Sequence, residues 1–194
     1  MVQWNMAKIK TDNIRLILYF VVAMWVVHVV DWVLPYNLKT LGLVPRSLKG
    51  LVGILTAPFL HANMFHLISN TVPLLVLGFL LVIFYERIAP AVIGFVVILG
   101  GGLVWVLGRS ANHIGASGVV YGIAAFLIAY GLMTKKILPI IVSVIVAVIY
   151  GGSMLTGILP TQGFISWESH LFGAVAGVAA AFALKDRQYS KNKS

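Results

Sequence analysis

The chain has 194 residues, 60% of them hydrophobic and only 10% charged, with a mean hydropathy of +1.00. Soluble globular domains carry roughly 25% charged residues, so the composition excludes an ordinary soluble fold and predicts an integral membrane protein. A net charge of +9 does not predict nucleic-acid binding, because the charges sit in loops and tails with no basic, aromatic-laced helix face; the absence of cysteine excludes disulfides, thiolate metal sites and cysteine catalysis.

The length predicts one domain, residues 1–194. Long apolar runs with short polar breaks favour helices over a barrel, whose segments are short and alternating. Residues 1–13 form a polar N-terminal segment with Lys8 and Lys10. Ile14 to Leu34 predicts the first membrane helix, a retained anchor because no small-residue cleavage site follows it. Pro35 to Leu60 holds three prolines and three glycines among many leucines. It predicts a structured loop lying partly in the interface, since long apolar loops are more often functional than linkers. The second helix runs from Met64 or His66 to Tyr85 with Pro73 inside it, and the third from Ile88 to Leu107. Polar residues Gly108 to His113 make a loop. The fourth helix covers Ser117 to Met133, the fifth Ile137 to about Tyr150 or further, and the sixth Trp167 to Leu184. A glycine- and proline-containing, uncharged loop spans Gly151 to Ser166, and residues 185–194 form a basic tail. The expected fold is an all-α polytopic bundle of six transmembrane helices.

Six spans put both termini on one side. With the termini inside, ten of the fourteen basic residues are cytoplasmic, and only Lys39, Arg46, Lys49 and Arg109 face outward. The positive-inside rule selects that orientation. The first loop and Ser117 then lie toward the outer side, and the surplus basic charge meets anionic lipid headgroups.

The stretch His113-Ile114-Gly115-Ala116-Ser117-Gly118 places a serine at the mouth of the fourth helix. A polar group at that depth is costly without a partner or a purpose. At about 1.5 Å of rise per residue, Ser117 is roughly 27 Å from the inner boundary at Lys135. His170 is roughly 22 Å from Lys185, and Asn70 roughly 24 Å from Glu86 with His66 one turn higher. Residues on three helices therefore reach one level in the outer half of a bilayer roughly 30 Å thick. Nucleophilic catalysis suits such a set. Ser117 needs a base, which His170 supplies. The developing oxyanion needs donors, which His66, the Asn70 amide and the Ser117 backbone N–H supply. His66 and Asn70 share a helix face, and Tyr121, i+4 from Ser117, is placed to pack on the imidazole. No carboxylate is well placed to complete a triad. Glu168 is i,i+2 from His170 on the opposite face, and Asp31 lies at the outer end of the first helix, so a Ser-His dyad is expected. Gly118 and Gly122 on the fourth helix and Gly173 and Gly177 on the sixth are small-Xaa3-small patterns that predict a close packing seam. His28 and His113 are expected in the outer interface, and the tryptophans are expected as interfacial anchors.

These residues resemble the rhomboid family of intramembrane serine proteases from about Pro58 to Leu184. His61-Ala62-Asn63-Met64-Phe65-His66-Leu67-Ile68-Ser69-Asn70 looks like the family's His-Xaa4-His-Xaa3-Asn. Gly115-Ala116-Ser117-Gly118 with Tyr121 looks like its serine motif, and Ser169-His170-Leu171-Phe172-Gly173 with Gly177 like its histidine helix. The resemblance implies Ser117 as nucleophile, His170 as base, His66 and Asn70 at the oxyanion, and His61 as a structural residue of the same motif. It implies hydrolysis of peptide bonds in or near transmembrane segments of other membrane proteins, with no metal or other cofactor, in a bacterial-type cell membrane. It also implies that the fifth helix and its outer loop act as gate and cap. The chain resembles the minimal six-helix form. It departs from some members in having no tryptophan beside Arg46 in the first loop, and Pro90 follows Glu86-Arg87 where a glycine is common.

Two other readings use the same residues. A metalloprotease is weakened by the absence of His-Glu-Xaa2-His. A non-catalytic rhomboid-like protein that binds transmembrane segments is weakened because both Ser117 and His170 are kept. A transporter lacks support, since no inverted repeat or paired broken helices are present.

Overall fold

The computed structural model describes residues 11–35, 37–134, 136–160, 166–185 and 187. Six long helices dominate: α1 (Thr11–Val33), α2 (Met64–Tyr85), α3 (Ala89–Leu107), α4 (Ser117–Met133), α5 (Ile137–Gly157) and α6 (Trp167–Leu184). All but α4 are long and apolar enough to cross a bilayer. The bounds of α2, α4 and α6 coincide with those read from the sequence. Local chemistry explains two of these starts. Asn63 caps α2 by accepting from His66 N at 2.9 Å, and Ser166 caps α6 by accepting from Ser169 N at 3.3 Å.

The 17 residues of α4 span roughly 26 Å, less than the roughly 30 Å of a bilayer core. A helix that short ends inside the thickness of the bundle rather than at its surface. It is also the central helix: Val119, Val120, Ile123, Ala124, Phe126, Leu127 and Tyr130 are all buried.

Helix α6 lies against α4 without side chains between them. A Cβ on Gly173 would stand 2.1 Å from Gly118 O, and one on Gly177 would stand 2.0 Å from Gly122 O. Backbone meets backbone at both positions. Helix α3 joins them, its Val96 packed on Gly122 and its Gly100 facing Gly173. A π turn at Val96–Gly100 interrupts α3 at this contact.

Between α1 and α2 the chain forms short helical turns, Leu38–Leu41, Lys49–Val52, Gly53–Thr56 and Ala57–Phe59. The loop is pinned to the end of α3. Arg46 N donates to Trp105 O and Trp105 Nε1 donates to Ser47 O, each at 3.0 Å. The Arg46 guanidinium donates to Gly108 O at 2.8 Å and Val106 O at 3.2 Å. A cation at the C-terminus of a helix meets its unpaired carbonyls and the negative end of its dipole. Arg46 has a φ of 57°, a conformation these bonds must hold in place.

The structure corrects several expectations. Helix α5 runs on past Tyr150 to Gly157, because Ser153 Oγ and Thr156 Oγ1 bond back to Tyr150 O and Gly152 O and glycine does not end a helix in lipid. The expected loop is shorter for that reason, and its residues 161–165 lie outside the described residues, as do 1–10 and most of the basic tail. His113, expected at the outer interface, is buried within the protein at 2% exposure. Trp25 and Trp105 donate inward, Trp25 to Thr71 Oγ1 at 3.1 Å, whereas Trp32 is exposed.

Replacing Gly173 by valine must separate α4 from α6, because the atom in the way is a backbone oxygen. We expect a loss of at least about 3 kcal/mol of stability, measured by unfolding in detergent, and a much smaller loss for Gly94→Val, where nothing lies within 4 Å of the new Cβ.

Candidate active site

The turn that opens α4 is held from three directions. His113 exchanges two backbone hydrogen bonds with Leu43, at 3.0 and 2.8 Å, and Gly115 N donates to Ala57 O at 2.8 Å. The His113 ring bridges Ser166 Oγ at 2.5 Å and Arg109 O at 3.1 Å. Gly115 has a φ of 111°, a region in which a side chain is strained. A Cβ there would also stand 2.7 Å from the His66 ring. Glycine at 115 thus lets the imidazole lie directly on the peptide two residues before Ser117.

Among the described residues no side chain caps the first turn of α4, and Val119 N and Val120 N both donate to Ala116 O. The earliest N–H groups of a helix have no intrahelical acceptor, so this end offers donors beside the half-buried Ser117. Asn70 is buried and spends one amide hydrogen on His66 O at 2.8 Å, leaving its second hydrogen for another acceptor. Its nitrogen is 3.8 Å from the Gly115 Cβ position. His61 packs edge-on against His66 with centroids 5.1 Å apart, and its Nδ1 donates to Phe59 O at 3.3 Å.

His170 faces this turn from α6. Gly118 and Gly173 are in backbone contact, and Gly118 would meet Ser169 O at 3.0 Å if it carried a Cβ. Tyr121, one turn along α4 from Ser117, stacks on the His170 ring with centroids 4.1 Å apart and planes 8° from parallel. His170 Nδ1 lies 2.9 Å from Gly157 O, and Tyr121 OH donates to Ser153 O at 2.9 Å. Among the described residues no hydrogen bond joins Ser117 Oγ to His170; such bonds commonly tighten only when substrate is bound.

Neither carboxylate completes a triad. Asp31 is paired with Lys39 and accepts from Leu38 N at 2.6 Å. Glu168, 2% exposed, accepts from Arg109 Nε at 3.1 Å and Arg109 N at 3.4 Å. At the N-terminus of α6 its charge also suits the helix dipole. Among the described residues no group of three or more histidines, cysteines or carboxylates is placed to hold a metal ion. A cavity of about 50 Å³ lies behind the turn, between Leu43, Ala57, Val104, His113, Gly118 and Ser169, room for a few waters at roughly 10–15 Å³ each.

The sequence did not disclose the roles of Arg109, His113, Ser166 and Gly157. Arg109 and His113 flank the serine turn, and Ser166 is a helix cap, so the signal for a loop clasp was present in part. Gly157 carried none.

A family model described as the Rhomboid domain matches residues 49–187. Proteins of Mycobacterium bovis and Mycobacterium tuberculosis, both named only as uncharacterized proteins, are 40% identical over 177 residues, covering 87% of this chain and 73% of theirs. An uncharacterized protein of Mycobacterium leprae is 38% identical over 177 residues, covering 87% of this chain and 70% of its own length.

The loop histidines carry a pH dependence. Burial, then the neighbouring His66, pushes His61 from 6.5 down to about 4, and burial lowers His113 despite the Arg109 carbonyl and Glu168. His61 is 2% exposed. The fold therefore holds it neutral, and the stabilisation is complete above pH 6.5 and lost as the pH falls toward 4. His61 alone contributes about 3 kcal/mol to that loss. Thermal unfolding in detergent across this range checks it: His61→Gln should show a shallower acid slope than the natural chain, and equal slopes would contradict the assignment.

Proposed function

The chain belongs to the rhomboid family, and from that premise we propose that it is an intramembrane serine endopeptidase that cleaves membrane proteins in or near their transmembrane segments. The supporting observation is that two imidazoles flank the turn that opens α4: His66 lies against Gly115, and His170 stacks on Tyr121, one turn from Ser117. Both stand at the outer end of the central helix, the shortest of the six at 17 residues.

In this reading Ser117 Oγ attacks the scissile carbonyl carbon and its proton passes to His170. The peptide oxygen becomes an oxyanion, held by the first N–H groups of α4, the free Asn70 amide hydrogen and His66. The carbon–nitrogen bond then breaks as His170 gives the proton to the leaving amine. Water, deprotonated by His170, attacks the resulting ester and releases Ser117. Asp31 and Glu168 take no part, being paired with Lys39 and Arg109. His61 supports His66 from behind. Gly115 and Gly118 give the rings and α6 access to the turn, and Gly122, Gly173 and Gly177 keep the two helices at that distance.

The basic residues orient this integral membrane protein with both termini in the cytoplasm and the site toward the outer face of a bacterial cell membrane. Residues 1–194 act as one membrane domain. Substrate helices must expose a peptide bond whose amide is already hydrogen bonded, so glycine or proline near the cleavage point should favour cleavage.

The test is cleavage of a transmembrane peptide by the purified protein in detergent. The natural chain should cleave it, and Ser117→Ala and His170→Ala should each lose at least about 10³-fold in rate. His66→Ala and Asn70→Ala should each lose about tenfold to a thousandfold. Variants at Ser117 and His170 as active as their parent would refute the proposal.

A further inference from the structure

The stacked pair has a second partner that a dyad does not require. His170 Nδ1 is 2.9 Å from Gly157 O, the last carbonyl of α5. A carbonyl only accepts, so the hydrogen is on Nδ1. A neutral imidazole carries one ring hydrogen, which leaves Nε2 bare. That is the nitrogen a general base needs. Tyr121 OH donates to Ser153 O, also at 2.9 Å, one turn earlier on the same helix. Both rings of the pair therefore grip one face of α5, and the stacking fixes the plane of the imidazole.

We propose that α5 supplies the positioning group of the catalytic pair: the Gly157 carbonyl holds His170 in the Nδ1–H tautomer, in the place that a carboxylate fills in a triad. This rests on the protease reading given above and adds the element that orients its base. Four observations carry it. Neither carboxylate near this end of the bundle bonds His170: Asp31 is paired with Lys39, and Glu168 is paired through Oε1 with Arg109. The acceptor is a terminal helix carbonyl, which has no N–H of its own helix and sits at the negative end of the dipole, so it also suits the imidazolium formed during the reaction. Glycine leaves room for both rings, because a Cβ at 157 would stand 1.8 Å from Tyr121 Oη and 3.2 Å from His170 Nδ1, so that the tyrosine hydroxyl would have to move. Lastly, α5 is fastened differently at its two ends. Its first half is keyed into α4, with Ser143 Oγ donating to Leu127 O at 2.9 Å and occupying the space beside Gly131. Its buried residues Pro139, Val142, Ser143 and Val146 all lie in that half; in the second half, where only Tyr150 and Met154 pack partly on the core, Gly151 and Gly152 have nothing among the described residues within 4 Å of a Cβ position. Moving that half outward withdraws both acceptors, freeing the tautomer and the ring plane together. Alignment of the base is thereby coupled to docking of α5.

Nitrogen-15 NMR of the histidine-labelled natural chain in detergent tests this without a variant. The chain has five histidines, and the His170 signals are those lost in His170→Ala. Nδ1 should be protonated and Nε2 bare; the opposite tautomer would overturn the proposal. Gly157→Ala should give mixed tautomers and a kcat lower by about ten- to a hundredfold, the size of one hydrogen bond to a group that becomes charged, with KM changed less than about twofold. A Gly157→Ala chain that keeps both the single tautomer and its kcat would also overturn it. Tyr121→Phe should lower kcat as well. Its effect should fall short of adding to that of Gly157→Ala, because the lost hydroxyl is the atom nearest the new Cβ. A natural chain with the Nδ1–H tautomer, lost in Gly157→Ala, that cleaves no substrate would sink the protease reading and leave the α5 contact standing.

Discussion

The molecule depends on two helices coming closer together than side chains allow. Gly173 on Gly118 and Gly177 on Gly122 put α6 and α4 in backbone contact over two turns. In lipid no hydrophobic term drives helices together, so dispersion and close polar contact must do it. The same contact sets the chemistry. It puts the residues on either side of His170, Ser169 and Gly173, onto Gly118, and so places the imidazole against Tyr121 next to the serine turn. A bulkier residue at any of these glycines would shift His170 and Ser117 apart by about as much as it shifted the helices.

Around that seam the frame is stiff on one side. Arg46, Trp105, Leu43 and His113 tie the first loop to α3 and to the serine turn. Arg109 and Glu168 clasp the same turn to the start of α6, and His113 reaches Ser166 there. Buried polar groups are expensive unless satisfied, and here their partners come from separate segments, so satisfying them fixes the segments in place. On the other side α5 is keyed to α4 by Ser143 in its first half, while its exposed second half holds the Tyr121–His170 pair through two carbonyls. A serine turn held rigidly and an imidazole oriented by a looser helix form an asymmetric site. On the protease reading proposed above, a substrate segment has to be admitted to such a site without disturbing the oxyanion donors.

Much of this was legible in the sequence because the bilayer restricts the possibilities. Apolar runs between polar breaks set the limits of α2 and α6, and the structure adds Asn63 and Ser166 as their caps. Counting rise from the basic anchors placed Ser117, His170, His66 and Asn70 at one level, and Gly118 with Gly122, opposite Gly173 with Gly177, suggested the seam. What the sequence hid was conferred by tertiary contact. Gly151 and Gly152 read as the start of a loop, yet Ser153 and Thr156 return their hydroxyls to the helix and carry α5 on to Gly157. His113 read as interfacial because its partners, Ser166 and the Arg109 carbonyl, are revealed only once the loop folds back. The missing tryptophan beside Arg46 had a counterpart in Trp105, far along the chain, whose indole holds the loop from α3.

The central claim is that Ser117 is a nucleophile activated by His170. A fluorophosphonate reports this directly, because it bonds to an activated serine and not to one that merely packs a helix. The detergent-purified chain should gain one adduct, mapped by mass spectrometry of its fragments to Ser117, and the same chain with His170→Ala should gain none. An adduct on another serine, or equal labelling with and without His170, would contradict the account.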